Sequence, residues 1–539
     1  MKKLLALCTL LYTCAPVYSQ QNFSSNLPLV IINTNGQQIV DEPKIMADMG
    51  IINNANGQPN NVTDAFNEYS GKVGIEIRGQ SSQMFPMKSY GIELWDAAGS
   101  SVNKSLFGLP AESDWILYAP YNEKTLTHNY LAYTLSRQMG HWAANSRHVE
   151  LVINGEYRGI YVFLEKIKRG SDGRVKIAKI SKTDISGDKL TGGYIFSVDK
   201  QADGWFSPYK AGIAGNAPVQ YTYVYPKLSN IVQQQKDYIR SYVDSFEHAL
   251  YGNNFQDTVN GWRNFADERS FIDFLIINEL SRNVDGYRIS TYLHKNRNSI
   301  NDKIFAGPVW DFDLAFKNAD YCSGSDTTGW AWEFNNICPS DYFQVPFWWG
   351  KLSTDTLFAG NLLCRWKELR QNVLSQQNLY QLIDSVVSIT AQPRTRHFAK
   401  WPVLGQYVWP NPQPIAQTYD EEISQLKNWL AARLRWIDRS LINTGACRTI
   451  PPLPDQNTIT INPNPLGNVA IIGIAAVSQQ KVNVQVIDIL GRIMLNNAYI
   501  VQPGSNRVEL NCNAWQAGVY TIKVTAADGY RFSKKVIKR

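Results

Sequence analysis

The chain has 539 residues, too many for one compact core, so two or three structural units are expected. Hydrophobic residues make up 44% and charged residues 18%, which suits folded domains, and 53 Lys and Arg against 46 Asp and Glu leave a net +7. Several of those positives sit at the ends, in Lys2-Lys3 and Lys534-Lys535, and no basic stripe interleaves with aromatics in the interior, which excludes a nucleic-acid footprint.

Residues 1–20 carry two lysines, an apolar run and then small residues. This reads as a secretory signal cleaved near Ser19 or Gln20, too short to span a bilayer. No later stretch holds about 18 uninterrupted apolar residues, so no transmembrane segment is expected in the mature protein. Beyond the signal stand Cys322, Cys338, Cys364, Cys447 and Cys512, an odd number; outside the cytoplasm some will pair, and Cys322 with Cys338 is the easiest closure. Neither a CxxC nor an HExxH pattern argues for zinc.

In chain order, residues 27–53 read as strands with a turn between them, followed by an Asn-rich loop at 54–63. Residues 73–94 form two strands around a Gly/Ser-containing connection that includes Ser81. Its N–H groups and hydroxyls could cradle phosphate beside Arg78 and Lys88, and a plain hairpin is as good a reading. Residues 121–140 carry helical periodicity with Gly140 as a stop. Residues 149–165 make a hairpin turning on Asn154-Gly155, and Glu165 closes its second strand, either as an exposed strand end or as the partner of a buried lysine.

Residues 230–250 and 262–283 read as helices, the second opened by Asp267, Glu268 and Ser270 and running into the turn pair Asp285-Gly286. A strand at 289–295, a polar turn at 296–302 and a second strand at 304–310 then deliver Asp311 and Asp313. On an extended chain these two carboxylates share a face roughly 7 Å apart. A single Asp after a helix is ordinarily a turn or cap. Three acids converging beside apolar surface instead require compensation, by a divalent cation held through oxygens or by an arginine. Residues 355–441 are helix-rich, interrupted by a loop at Trp401-Pro402 and Trp409-Pro410. After Cys447 a Pro-rich linker at 448–457 leads into short alternating strands, 458–539, that make a small β-sandwich.

Over roughly residues 27–445 the chain resembles the CotH family of secreted and spore-coat kinase-like proteins. The resemblance is carried by Ile75-Glu-Ile-Arg-Gly-Gln-Ser-Ser82, Pro86-Met-Lys-Ser-Tyr90, Asp114-Trp-Ile-Leu-Tyr118, Asn154-Gly-Glu-Tyr-Arg-Gly-Ile-Tyr161, Asn283-Val-Asp-Gly-Tyr-Arg288 and Trp310-Asp-Phe-Asp313. The C-terminal segment is similar to the sorting domain of type IX secretion substrates of Bacteroidota, through Asn462-Pro-Asn-Pro465, Val486-Ile-Asp-Ile-Leu-Gly-Arg492 and Gly518-Val-Tyr-Thr521. The resemblance implies an α+β chain: a divergent protein-kinase-like domain over 21–447, then an all-β sandwich sorting domain.

It implies further that ATP and Mg²⁺ are cofactors, with the γ-phosphate passed to the hydroxyl of an unknown protein acceptor. Asp285 would be the catalytic carboxylate and Asp311, with Asp313, the metal ligands. Arg78, Ser81 and Lys88 would contact phosphates, and Glu165 would lie near the hinge or pair with Lys88. Ser290 stands where many kinases carry a metal-binding Asn. The type IX machinery would be a partner, and the protein would be secreted or held at the cell surface after crossing the periplasm. The rival reading is a non-catalytic, adhesin-like surface protein on the same fold, with Trp330, Trp332, Trp348 and Trp349 as its binding face. A glycoside hydrolase using Asp311 and Asp313 is a distant third.

Overall fold

Seven strands in the first third of the chain form a sheet that closes on itself. The computed structural model describes residues 22–170, 173–200, 204–211, 218–441, 458–476, 479–489, 492–502, 504–526 and 531–538. The expected signal at 1–20 and linker at 448–457 lie outside them. The barrel strands are β1 (Leu29–Asn33), β2 (Ile45–Ile52), β3 (Tyr69–Arg78), β4 (Ser89–Trp95), β5 (Asp114–Tyr118), β6 (Ser146–Ile153) and β7 (Glu156–Glu165), in the order β1-β2-β3-β4-β5-β7-β6. Neighbours are antiparallel except β1 and β6, whose parallel ladder closes the ring with Val30 opposite Leu151. Val30, Ile32, Val73, Ile75, Ile92, Leu94, Leu117, Leu151 and Phe163 fill the interior. The β6–β7 hairpin turns as expected on Asn154 (φ 53°) and Gly155 (φ 76°), the two left-handed positions of a type I′ turn.

The chain divides into two units. The barrel and residues 380–427 belong to one; residues 131–143, 168–379 and those from 428 onward belong to the other. Within the first unit the helix Arg394–Lys400 rests on β7. Burial pushes the His397 imidazole down to about 3, so the neutral ring accepts the Ile160 N–H at 3.0 Å. Trp401 donates to the Arg158 carbonyl at 2.7 Å. Gly159 (φ 107°) is required between them, because a Cβ there would lie 2.9 Å from His397 Nδ1.

The helix expected over 121–140 is shorter, α1 (His128–Gln138). Residues before it are consumed in a buried polar turn in which Glu123 accepts the Thr125 N–H at 3.0 Å and the His128 N–H at 3.2 Å. Leu126 there is left-handed (φ 62°), which a helix cannot accommodate.

The second unit holds an antiparallel sheet of β8 (Tyr194–Val198), β9 (Gly204–Lys210), β10 (Pro218–Tyr225), β11 (Thr291–Lys295) and β12 (Ile304–Ala306), ordered β9-β10-β8-β11-β12. With it are α2 (Gln233–Tyr251) and α3 (Glu268–Ser281). The Asp267 side chain caps α3 by accepting the Ser270 N–H at 2.7 Å, and every residue from Ser270 to Ser281 is buried. Trp348 and Trp349, each 1% exposed, pack against Phe271 and Phe274 with ring centroids 6.3 and 5.8 Å apart. Half of the tryptophan face expected for a surface binder is therefore core, because α3, buried along nearly its whole length, needs large rings packed on its apolar flanks. Cys322 and Cys338 form the expected disulfide, and Cys512 is buried and free.

From residue 458 the chain is all β. β13 (Thr458–Asn462), β14 (Val469–Ala476) and β17 (Gly504–Asn511) form one sheet; β15 (Gln480–Asp488), β16 (Ile493–Val501), β18 (Gly518–Ala526) and β19 (Arg531–Lys538) form the other. Both contribute to a single core that includes Ile461, Ile472, Val484 and Ile522, as in a sandwich. No described helix is long and apolar enough to cross a membrane.

Candidate functional site

Where α3 ends, Arg282 turns left-handed (φ 45°) and the chain folds back on itself. The Asn283 side chain accepts the Asp285 N–H at 3.1 Å, and a Cβ on Gly286 would meet Asn278 Oδ1 at 2.5 Å, so glycine is needed for the turn. Asp285 is held by Arg288 at 2.9 Å. That guanidinium is itself fixed: its Nε donates to the Val284 carbonyl at 2.7 Å, it reaches Asp341 at 3.2 Å, and it lies 4.0 Å from the Phe334 ring centroid. An arginine thus compensates the first of the three acids.

Asp311 and Asp313 are close for a reason other than strand geometry. The expected strand at 304–310 ends at Ala306, and Asp311 is left-handed (φ 64°), so the alternation argument does not apply. A loop places them instead. Trp310 stacks on Tyr133 at 5.7 Å, Phe312 is 1% exposed, and the Asp311 N–H donates to the Tyr133 hydroxyl at 3.1 Å. The Ser290 hydroxyl donates to Asp311 Oδ2 at 3.3 Å. Burial, then the charges of Asp311 and Asp285, push the Asp313 carboxyl well above the ordinary carboxylate range, and it shares a hydrogen bond with Asp311. A buried carboxyl crowded by other carboxylates is pushed toward its neutral form.

A fourth carboxylate, Asp199, was missed by sequence reasoning. The β8/β11 register sets Val198 opposite Thr291, which carries Asp199 to the level of Ser290, and burial followed by the Asp311 charge raises it too. No spacing in the sequence signals this, since 199 and 311 meet only through sheet pairing. Among the described residues no three His, Cys, Asp or Glu side chains already form a cage for a cation. The donor set nevertheless suits Mg²⁺, because hard carboxylate oxygens match an ion held by one or two carboxylates with water and phosphate completing its shell.

The remaining expected residues lie in the barrel unit. Arg78 ends β3, half-buried, and Gly79 after it is left-handed (φ 102°), with Ser82 Oγ occupying the space a Cβ would take. Ser81 opens a short turn, Ser81–Met84, and is exposed. The Lys88 ammonium donates to the Gln83 carbonyl. Buried Glu165, opposite Trp115 on β5, accepts from the Asn145 backbone and side chain at 2.9 and 2.8 Å. Lys88 and Glu165 thus have separate partners rather than each other. The structure brings Asp285, Asp311 and Asp313 together in one unit and places Arg78, Ser81, Lys88 and Glu165 in the other.

The CotH kinase protein family matches residues 75–437, and the secretion system C-terminal sorting domain matches residues 460–539. No curated protein matches the chain. With the family model covering more than half its length, the chain belongs to the CotH family and ends in a secretion sorting domain.

Proposed function

We propose that this is an atypical protein kinase of divergent kinase fold that acts outside the cytoplasm, exported by the type IX machinery, and transfers the γ-phosphate of ATP to a protein hydroxyl. The observation that carries the reading is the contact of the buried Asp313 carboxyl with Asp311, with Asp285 beside them. Such crowding costs stability in a merely structural loop and is relieved by a bound cation. Asp311 and Asp313 are the residues that would hold Mg²⁺, which would offset the crowding of their charges. When bound, the ion neutralises charge on the ATP phosphates and orients the terminal one.

Asp285, its carboxylate fixed by Arg288, takes the proton of the acceptor hydroxyl as that oxygen bonds to the γ-phosphorus and the bond to ADP breaks. Within the barrel unit, Arg78, Ser81, Lys88 and Glu165 are the residues offered for contact with the nucleotide. Calorimetric titration of the purified protein with Mg²⁺-ATP tests this. Wild type should release heat, Asp311→Ala should not, and Asp285→Asn should keep binding while losing transfer, since the two changes act on ground state and transition state respectively. An absence of heat with wild type would leave the non-catalytic surface protein as the better reading.

A further inference from the structure

On the outer wall of the barrel the β2–β3 ladder is interrupted. Ile45 pairs with Ile75, but the next bond runs from the Ile77 N–H to the Val40 carbonyl at 2.7 Å. Residues 41–44 therefore stand opposite Glu76 alone, an enlarged bulge that lifts the chain away from the sheet. Beside it lies an open cavity of about 570 Å³ lined by Glu42, Pro43, Lys44, Glu76, Glu93 and Trp95. The floor is made by outward positions of β3 and β4. Gly74, level with Glu93, leaves room for the Trp95 indole, since a Cβ there would lie 2.2 Å from that ring.

The lining carries three glutamates against one lysine. Among the described residues Lys44 pairs with Glu76 at 2.8 Å, Glu93 accepts only the neutral Ser101 hydroxyl, and exposed Glu42 has no ion-pair partner. An aromatic wall with surplus carboxylates on a bulged edge attracts a group that is positive and partly apolar. An inorganic anion would be repelled. The volume falls within the range of small-ligand sites.

We propose that this cavity binds an organic cation, an ammonium or guanidinium group, supplied either by a free polyamine or by a Lys or Arg side chain of an extended peptide. The site lies wholly within the barrel and stands or falls apart from the kinase reading.

Titration of the full-length protein with spermidine, with a Gly-Arg-Gly-Lys-Gly peptide and with its Gly-Gln-Gly-Gln-Gly counterpart tests it. One or both cationic probes should bind and the neutral peptide should not, and the stronger cationic probe identifies the source. Trp95→Ala and Glu93→Gln should each weaken binding by about tenfold, with melting temperature checked for intact folding. Lys44→Gln should strengthen it several-fold by removing the competing cation, and added salt should weaken it. Failure of both cationic probes, equal binding of the neutral peptide, or the same sign of change at Lys44 and Glu93 would overturn the proposal.

Discussion

Replacing Asp311 by Asn separates a metal centre from a structural loop by the sign of the effect. Asn suits the left-handed backbone at φ 64°, keeps an oxygen for the Ser290 hydroxyl, and leaves the Asp311 N–H bond to Tyr133 intact. What it removes is the negative charge that helps hold the Asp313 carboxyl up. Two unit charges about 4 Å apart interact with about 4 kcal/mol at an effective dielectric of 20. Burial also holds the Asp313 carboxyl up, so removing the Asp311 charge should relieve only part of that crowding. In chelator, Asp311→Asn should therefore melt at or above the wild-type temperature. With Mg²⁺-ATP at about one hundred times its dissociation constant, wild type should gain about 2.7 kcal/mol, a rise of several degrees, and the variant nothing. Scanning calorimetry with chelator and with Mg²⁺-ATP reads both. A variant that melts clearly lower in chelator, together with a wild type indifferent to Mg²⁺-ATP, would show that these carboxylates only hold the loop.

Cys338→Ser opens the loop closed by the disulfide to Cys322, sixteen residues away in sequence, and should cost about 3 kcal/mol in denaturant unfolding; equal stability of oxidised and reduced protein would contradict this. Deleting residues 456–539 removes the sorting sandwich with its own core, so the rest should fold normally and accumulate in the periplasm, as fractionation and thermal melting would reveal; normal surface levels would refute it. Glu123, pushed up to about 8 by burial, is protonated in the folded state at neutral pH. Its contribution is complete below about pH 4.5 and is lost as pH rises to about 8. Between pH 5 and 8 wild type should thus lose about 1.4 kcal/mol per pH unit more than Glu123→Gln, and parallel stability curves would exclude the shift.

Which acids would come together was legible from the sequence, though not how. Asp285 after α3 and the Asp311-Phe-Asp313 pair are in the acidic centre, but the reason given for the pair, strand alternation, was wrong, because Ala306 ends the strand and Tyr133 with Trp310 shapes the loop. Glu165 was expected either near the hinge or paired with Lys88; the pairing is not made, since each has another partner, Gln83 and Asn145, that lies nearby in its own loop or strand end.

By itself the sequence determined what short-range forces settle. The Asn154-Gly155 turn follows from two left-handed positions, the α3 cap from Asp267 and Ser270, the Cys322–Cys338 closure from a short loop, and the all-β terminal segment from its period-two alternation. Only the tertiary structure decided that the first seven strands close into a barrel, since closure depends on Val30 meeting Leu151 in a parallel ladder between distant segments. It also decided that Trp348 and Trp349 are core, that Asp199 stands level with Ser290, and that Glu42 and Glu93 share a cavity with Trp95. In each case a side chain's environment is made by residues far away in sequence, and the desolvation and charge that give it chemistry arise only when packing brings them together.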